Sequence, residues 1–122
     1  MKPVDFSVLN EFKELMGDEG EQEVRELVEL YLSDGALLLE NIQTALASGD
    51  ADTLHRAAHS FKSSCGNIGA TELQATCQIL EQRAAVNGCD DDCRALATQA
   101  ESAFADVKVA LSNYLQLNSG DI

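Results

Sequence analysis

Asp50-Ala51-Asp52-Thr53-Leu54-His55-Arg56-Ala57-Ala58-His59-Ser60-Phe61-Lys62-Ser63-Ser64-Cys65-Gly66-Asn67-Ile68-Gly69 has the spacing of a helix set between two stops. Asp50 or Asp52 is placed to cap its N-terminus, and Gly69 to end it after about Asn67. At about 100° per residue, Leu54, Ala57, Ala58, Phe61, Cys65 and Ile68 fall in one stripe about 100° wide. His55, His59, Lys62, Ser63 and Gly66 gather on a neighbouring sector, roughly 120° from the middle of that stripe. The segment therefore buries one side and wets another, with His59 mid-helix and facing water.

Upstream, Val24, Leu27, Val28, Tyr31, Leu32, Leu38, Leu39, Ile42 and Leu46 hold a single apolar stripe from about Glu21 to the stop at Ser48-Gly49. Glu21, Glu23, Glu26 and Glu29 lie toward its N-terminal end, where the helix dipole favours acid. Ser33-Asp34-Gly35 interrupts it. An internal glycine costs about 1 kcal/mol relative to alanine, so the stripe reads as one bent helix or two nearly collinear ones. Before it, Asp5 can cap a short helix through about Met16, with Phe6, Leu9, Phe12 and Leu15/Met16 at helical spacing and Gly17 as its stop.

Downstream, Thr71 is placed as an N-cap, with Gln74 as its capping-box partner. Leu73, Thr76, Cys77, Leu80 and Ala84 form the apolar stripe of a helix reaching Val86, with Ala75 and Ile79 off that stripe. Those two either touch the long second helix or belong to a docking patch. Asn87-Gly88 is a turn. After Asp90-Asp91-Asp92, a last long helix is outlined by Leu96, Ala100, Ala103/Phe104, Val107, Leu111 and Tyr114/Leu115. There is no internal repeat and no strand pair. Short connections between long amphipathic helices predict an all-α fold, a single domain over residues 1–122. It is an antiparallel four-helix bundle with the short N-terminal helix as a lid over one end.

The composition narrows the function. Of 122 residues 45% are hydrophobic but only 5% aromatic, which suits helices packed through Leu, Ala and Val. Eight basic residues face 21 acidic ones for a net charge of −13, and no two basic residues adjoin. A nucleic-acid surface needs a basic patch, so that class is set aside. No apolar leader segment opens the chain and no run approaches a membrane span, so a cytoplasmic protein is expected. Its four cysteines then read as reduced thiols: Cys65 and Cys77 on apolar stripes, Cys89 and Cys93 without CxxC spacing. Neither a GxxxxGK[ST] run, a GxGxxG loop nor a kinase catalytic-loop pattern is present.

The sector around His59 is unusual for a solvated face. One and two turns on stand Ser63 and Gly66, where a solubilising helix would carry Lys or Glu, so the imidazole is left accessible. Lys62, three residues on, is close enough to meet a phosphoryl oxygen carried on the ring. Spacing alone leaves two other readings: an ordinary exposed histidine, or a zinc or nickel site on the i, i+4 pair His55 and His59, with Glu81 as a third ligand.

The run from Ala58-His59-Ser60-Phe61-Lys62 through Gly66-Asn67-Ile68-Gly69-Ala70 resembles the signature of histidine-containing phosphotransfer (HPt) domains. That signature has a His, an apolar residue at +2, Lys at +3, small residues at +4 to +6 and Gly at +10. Leu46-Ala47-Ser48-Gly49-Asp50 and the segment Leu73 to Leu80-Glu81 are similar to the family's flanking helices. Ser63 stands where the family often has Gly. The resemblance implies that His59 is the phospho-acceptor and Lys62 offsets phosphoryl charge. It also implies that Glu81, 22 residues after the histidine, orients the ring, with Gln78 in a weaker supporting role. On its own wheel Glu81 lies at the edge of the apolar stripe, on the side of Gln74 and Gln78, from which it can reach across to an antiparallel neighbour.

By the same resemblance the chain is a carrier with no ATP site of its own, no bound cofactor and no metal. Its partners are a hybrid sensor histidine kinase and the receiver domains of response regulators, whose own pockets supply the phospho-aspartate and Mg²⁺. A monomer is expected, with no nucleic-acid or membrane partner. The competing function is a non-catalytic helical adaptor or metal-binding bundle.

Overall fold

The computed structural model describes residues 2–119, with side chains through 117, and its regular elements are helical. They are α1 (Ser7–Met16), a 3-10 turn (Gly17–Glu19), α2 (Gly20–Ser48), α3 (Ala51–Ile68), α4 (Thr71–Asn87) and α5 (Asp91–Ser119). No helix among the described residues is long and apolar enough to cross a membrane.

The helix starts follow from side chains that satisfy free backbone N–H groups. Asp50, not Asp52, caps α3: its Oδ1 accepts from the Thr53 amide at 3.1 Å and its Oδ2 from the Thr53 hydroxyl at 2.6 Å. Asp90 Oδ1 accepts from the Cys93 amide at 2.9 Å, so the acidic run is the cap and first turn of α5. Asp5 accepts from both the amide and the hydroxyl of Ser7, the first residue of α1, while the cap position itself falls on Phe6 and not on Asp5.

Thr71 is a correction. It is the first residue of α4, and Ala70 holds the cap position without a side-chain bond. The Gly69 and Ala70 amides both donate to Cys65 O at 2.9 Å, and the Thr71 amide returns to Gly69 O at 3.0 Å. The reversal is over in two residues, so the cap position falls on Ala70, whose methyl side chain cannot accept a hydrogen bond.

The interruption at Ser33-Asp34-Gly35 is no break: α2 is one helix through it. Gly35 is there for packing. A Cβ on it would lie 2.7 and 2.8 Å from two ring atoms of Phe104 and 3.3 Å from Phe61. Its absence lets α5 bring Phe104 against the α2 backbone, and Tyr31 and Phe61 meet the Phe104 ring edge-on at centroid distances of 5.9 and 5.6 Å. The four long helices pack in a ring, α2 on α3, α3 on α4, α4 on α5 and α5 on α2, with α2 and α4 across the diagonal. Phe61, Ile42, Leu54, Leu80 and Leu111 are fully buried between them.

α1 closes one end of this bundle as expected of a lid. Leu9 is buried, Phe6 stacks on Tyr114 at 4.7 Å, and the Tyr114 hydroxyl donates to Asn10 Oδ1 at 2.6 Å. The Asp5 amide donates to Gly69 O at 2.7 Å, tying the lid to the α3–α4 turn. Gly69 has φ +89°, and a Cβ there would overlap the Asp5 carbonyl oxygen. Gly69→Ala is expected to cost about 1–3 kcal/mol through the left-handed backbone alone. In urea the midpoint should fall, with faster hydrogen exchange at the Asp5 amide. An unchanged midpoint would show that the turn tolerates the side chain.

Candidate functional site

His59 stands ten residues before Gly69 and Glu81 twelve after it. At a rise of about 1.5 Å per residue they lie about 15 and 18 Å from the turn along two antiparallel helices, and so at nearly the same level. The side chains meet there. His59 Nδ1 is 2.6 Å from Glu81 Oε1, and Lys62 Nζ is 2.6 Å from Glu81 Oε2. His55, one turn before His59, has its Nδ1 3.0 Å from the backbone oxygen of Glu81. Residue 81 is thus gripped by three side chains of α3.

The electrostatics fix the protonation pattern. The His59 side chain is 58% exposed and that of Glu81 only 12%. The Lys62 ammonium holds the Glu81 carboxyl below its ordinary value of 4.5, against the opposing effect of burial, and the His59 contact adds to the lowering. At neutral pH Glu81 is therefore an anion with no proton to give. Its partner atom, His59 Nδ1, must be the donor, which in the neutral ring leaves the lone pair on Nε2.

This arrangement sets a pH dependence. A carboxyl whose folded value is depressed adds stability that is fully present above its unfolded value and is lost as pH falls through the lowered folded one. Glu81→Gln should therefore lower stability at neutral pH by about 1–3 kcal/mol, the scale of a hydrogen bond to a charged group. The gap to wild type should close as pH drops below about 4, checked by urea unfolding at a series of pH values. A gap independent of pH would mean that the carboxylate charge plays no part.

Other sequence-predicted residues are placed as follows. Ser63 is exposed and its hydroxyl turns back onto its own helix, donating to His59 O at 3.2 Å, so it presents no bulk beside the ring. Gly66 serves the neighbouring helix as well as access: a Cβ on it would lie 2.9 Å from the amide nitrogen of Gln74 on α4. Gln78 is exposed, and the structure brings Glu81 but not Gln78 to the histidine. Lys62 is not a free ammonium waiting for a ligand but is paired with Glu81, which its helical spacing from His59 could not reveal. Ala75 and Ile79 are exposed on α4 and do not reach α2, which lies across the diagonal.

The His55 bond to Glu81 O is a feature that sequence reasoning missed. The i, i+4 spacing to His59 puts both rings on one face without pointing to this bond. Of the cysteines, Cys65 and Cys77 are buried and Cys93 is buried beside the half-buried Cys89; all four are free thiols. Tyr31 Oη lies 3.3 Å from Cys65 Sγ, while the Cys89 and Cys93 thiols donate to Ala45 O and Gly88 O.

The Hpt domain family model matches residues 26–114. Sensor protein TorS of Escherichia coli is 39% identical over 80 residues, which cover 66% of this chain but only 8% of that protein. Histidine-containing phosphotransfer protein 4 of Arabidopsis thaliana is 31% identical over 108 residues, covering 87% of this chain and 84% of that one. Among solved structures, histidine-containing phosphotransfer protein B of Pseudomonas aeruginosa superposes with a TM-score of 0.83 at 33% identity, over 93% of this chain and 95% of that chain.

Proposed function

This chain belongs to the Hpt domain family of phosphorelay intermediates, and on that premise we propose that His59 is its phospho-acceptor. It takes a phosphoryl group from the aspartyl phosphate of one receiver domain and passes it to the aspartate of another. The observation that carries the reading is the 2.6 Å contact of His59 Nδ1 with the buried Glu81 carboxylate on a ring whose other edge faces solvent.

In the forward step the Nε2 lone pair attacks phosphorus. An N–P bond forms, the aspartyl O–P bond breaks, and the partner's carboxylate leaves with the bonding pair. The ring gains positive charge as it attacks. That charge is shared with the Nδ1–H, which faces an anion fixed in place beforehand, so no reorganisation is needed at the moment of transfer. Lys62 neutralises the far oxygen of Glu81 and keeps the carboxylate in register; with its ammonium beside the ring, it also offsets the incoming phosphoryl charge. In the reverse step the same bonds exchange roles.

The chain is a carrier, with in-line geometry and Mg²⁺ supplied by the receiver domain. Its partners are response-regulator receivers and a hybrid sensor histidine kinase, and it works as a cytoplasmic monomer. Gln78, exposed three residues before Glu81, has at most a role at the rim of the docked face.

The test is incubation with a phosphorylated receiver domain and Mg²⁺, followed by mass analysis. One phosphate on His59, lost in acid and stable in base, is expected; label on another residue or on none would refute the assignment. Lys62→Ala should slow transfer about tenfold, less than the hundredfold or more typical when a donor touching the reacting oxygen is removed, because part of its action passes through Glu81. Unchanged rates would remove Lys62 from the mechanism.

A further inference from the structure

We infer that His55 and His59 together form a two-ligand site for a borderline divalent transition cation, of the class of Ni²⁺, Cu²⁺ and Zn²⁺, bound through their two Nε2 atoms. Four residues apart on α3, the imidazoles share one face of the helix. Each is anchored through Nδ1 on the same residue of α4: His59 on Glu81 Oε1 at 2.6 Å and His55 on Glu81 O at 3.0 Å. A carboxylate and a carbonyl can only accept, so both Nδ1 atoms carry the hydrogen, and in the neutral rings both Nε2 atoms carry a lone pair. Metal-bound imidazoles show the same outer partners, which fix tautomer and ring orientation before the ion arrives.

The structure also removes the ligand that sequence spacing suggested as the third. Glu81 spends one oxygen on His59 and the other on Lys62. Among the described residues no group of three or more His, Cys, Asp or Glu side chains could hold a metal. The site is therefore a bidentate chelate completed by water, exchangeable and regulatory in character, unlike a closed structural zinc centre. Imidazole nitrogen suits these ions, and a net charge of −13 raises the local concentration of any cation.

The consequence rests on the phospho-acceptor reading of His59: an ion on its Nε2 occupies the lone pair that phosphorus needs, so the loaded chain cannot accept phosphate. Binding itself does not depend on that reading. The experiment titrates tag-free, reduced protein with Ni²⁺ by calorimetry, on wild type and His55→Asn, whose amide can still donate to Glu81 O but has no second nitrogen lone pair.

One ion per chain is expected in wild type, with affinity at least about tenfold weaker in His55→Asn. Ni²⁺ should slow phosphate acceptance in wild type and leave the His55→Asn rate at its own metal-free value. Equal affinity in the two proteins would place the ion elsewhere, as at Cys89 and Cys93, and overturn the inference, as would no binding by wild type. Should neither protein accept phosphate on His59, the function proposed above fails, while the calorimetry still decides the metal site.

Discussion

His59→Gln is expected to reduce phosphate acceptance by more than about 10³-fold while leaving a folded bundle. Losing the nucleophile of a covalent transfer removes the route itself, and in enzymes such losses reach about 10⁶-fold. A glutamine amide spans much of the imidazole's reach, but its nitrogen lone pair is delocalised into the carbonyl and does not attack phosphorus. The fold should hardly register the change, because the side chain is 58% exposed and its one internal bond, to Glu81, is worth about 1–2 kcal/mol. The measurement is single-turnover transfer from a phosphorylated receiver, with a urea midpoint on the same preparation. Transfer at the wild-type rate would refute the central assignment, and a collapsed fold would require the more conservative His59→Asn.

The largest stability effect is expected from Phe61→Ala. Phe61 is fully buried two residues from His59 on the opposite side of α3, edge-on to Phe104 and against the bare backbone of Gly35. Truncation removes an aromatic side chain from a site ringed by helix backbones that cannot collapse onto the space, so about 3–5 kcal/mol should be lost. Domains of this kind hold about 5–15 kcal/mol in all, so the urea midpoint should move by more than about 1 M. The folded fraction should still accept phosphate, since the grip of α3 on Glu81 lies on the other face. A loss below about 1 kcal/mol would mean that Phe104 and Tyr31 refill the cavity.

Sequence alone determined the helices and which residues share the face around His59. Periodicity at 3.6 residues is a local property, written wherever one face of a helix must be dry, and it located all four long helices and the exposed sector bearing His59, Lys62 and Ser63. The HPt-like run added Glu81, because a fixed count across a two-residue turn returns two antiparallel helices to the same level. Tertiary structure alone decided the rest. Gly35 reads as a helix breaker until Phe104 is seen lying against it from α5, 69 residues away. Thr71 reads as a cap until the Gly69-Ala70 reversal puts it inside the helix, one residue past the cap position. The pairing of Lys62 with Glu81 and the anchoring of His55 on the same residue have no local signal, because helix spacing specifies which side chains share a face and says nothing of which atoms on a neighbouring helix they find. Those contacts depend on the distance and rotation between α3 and α4, which the packing of Phe61, Cys65, Leu73, Cys77 and Leu80 sets.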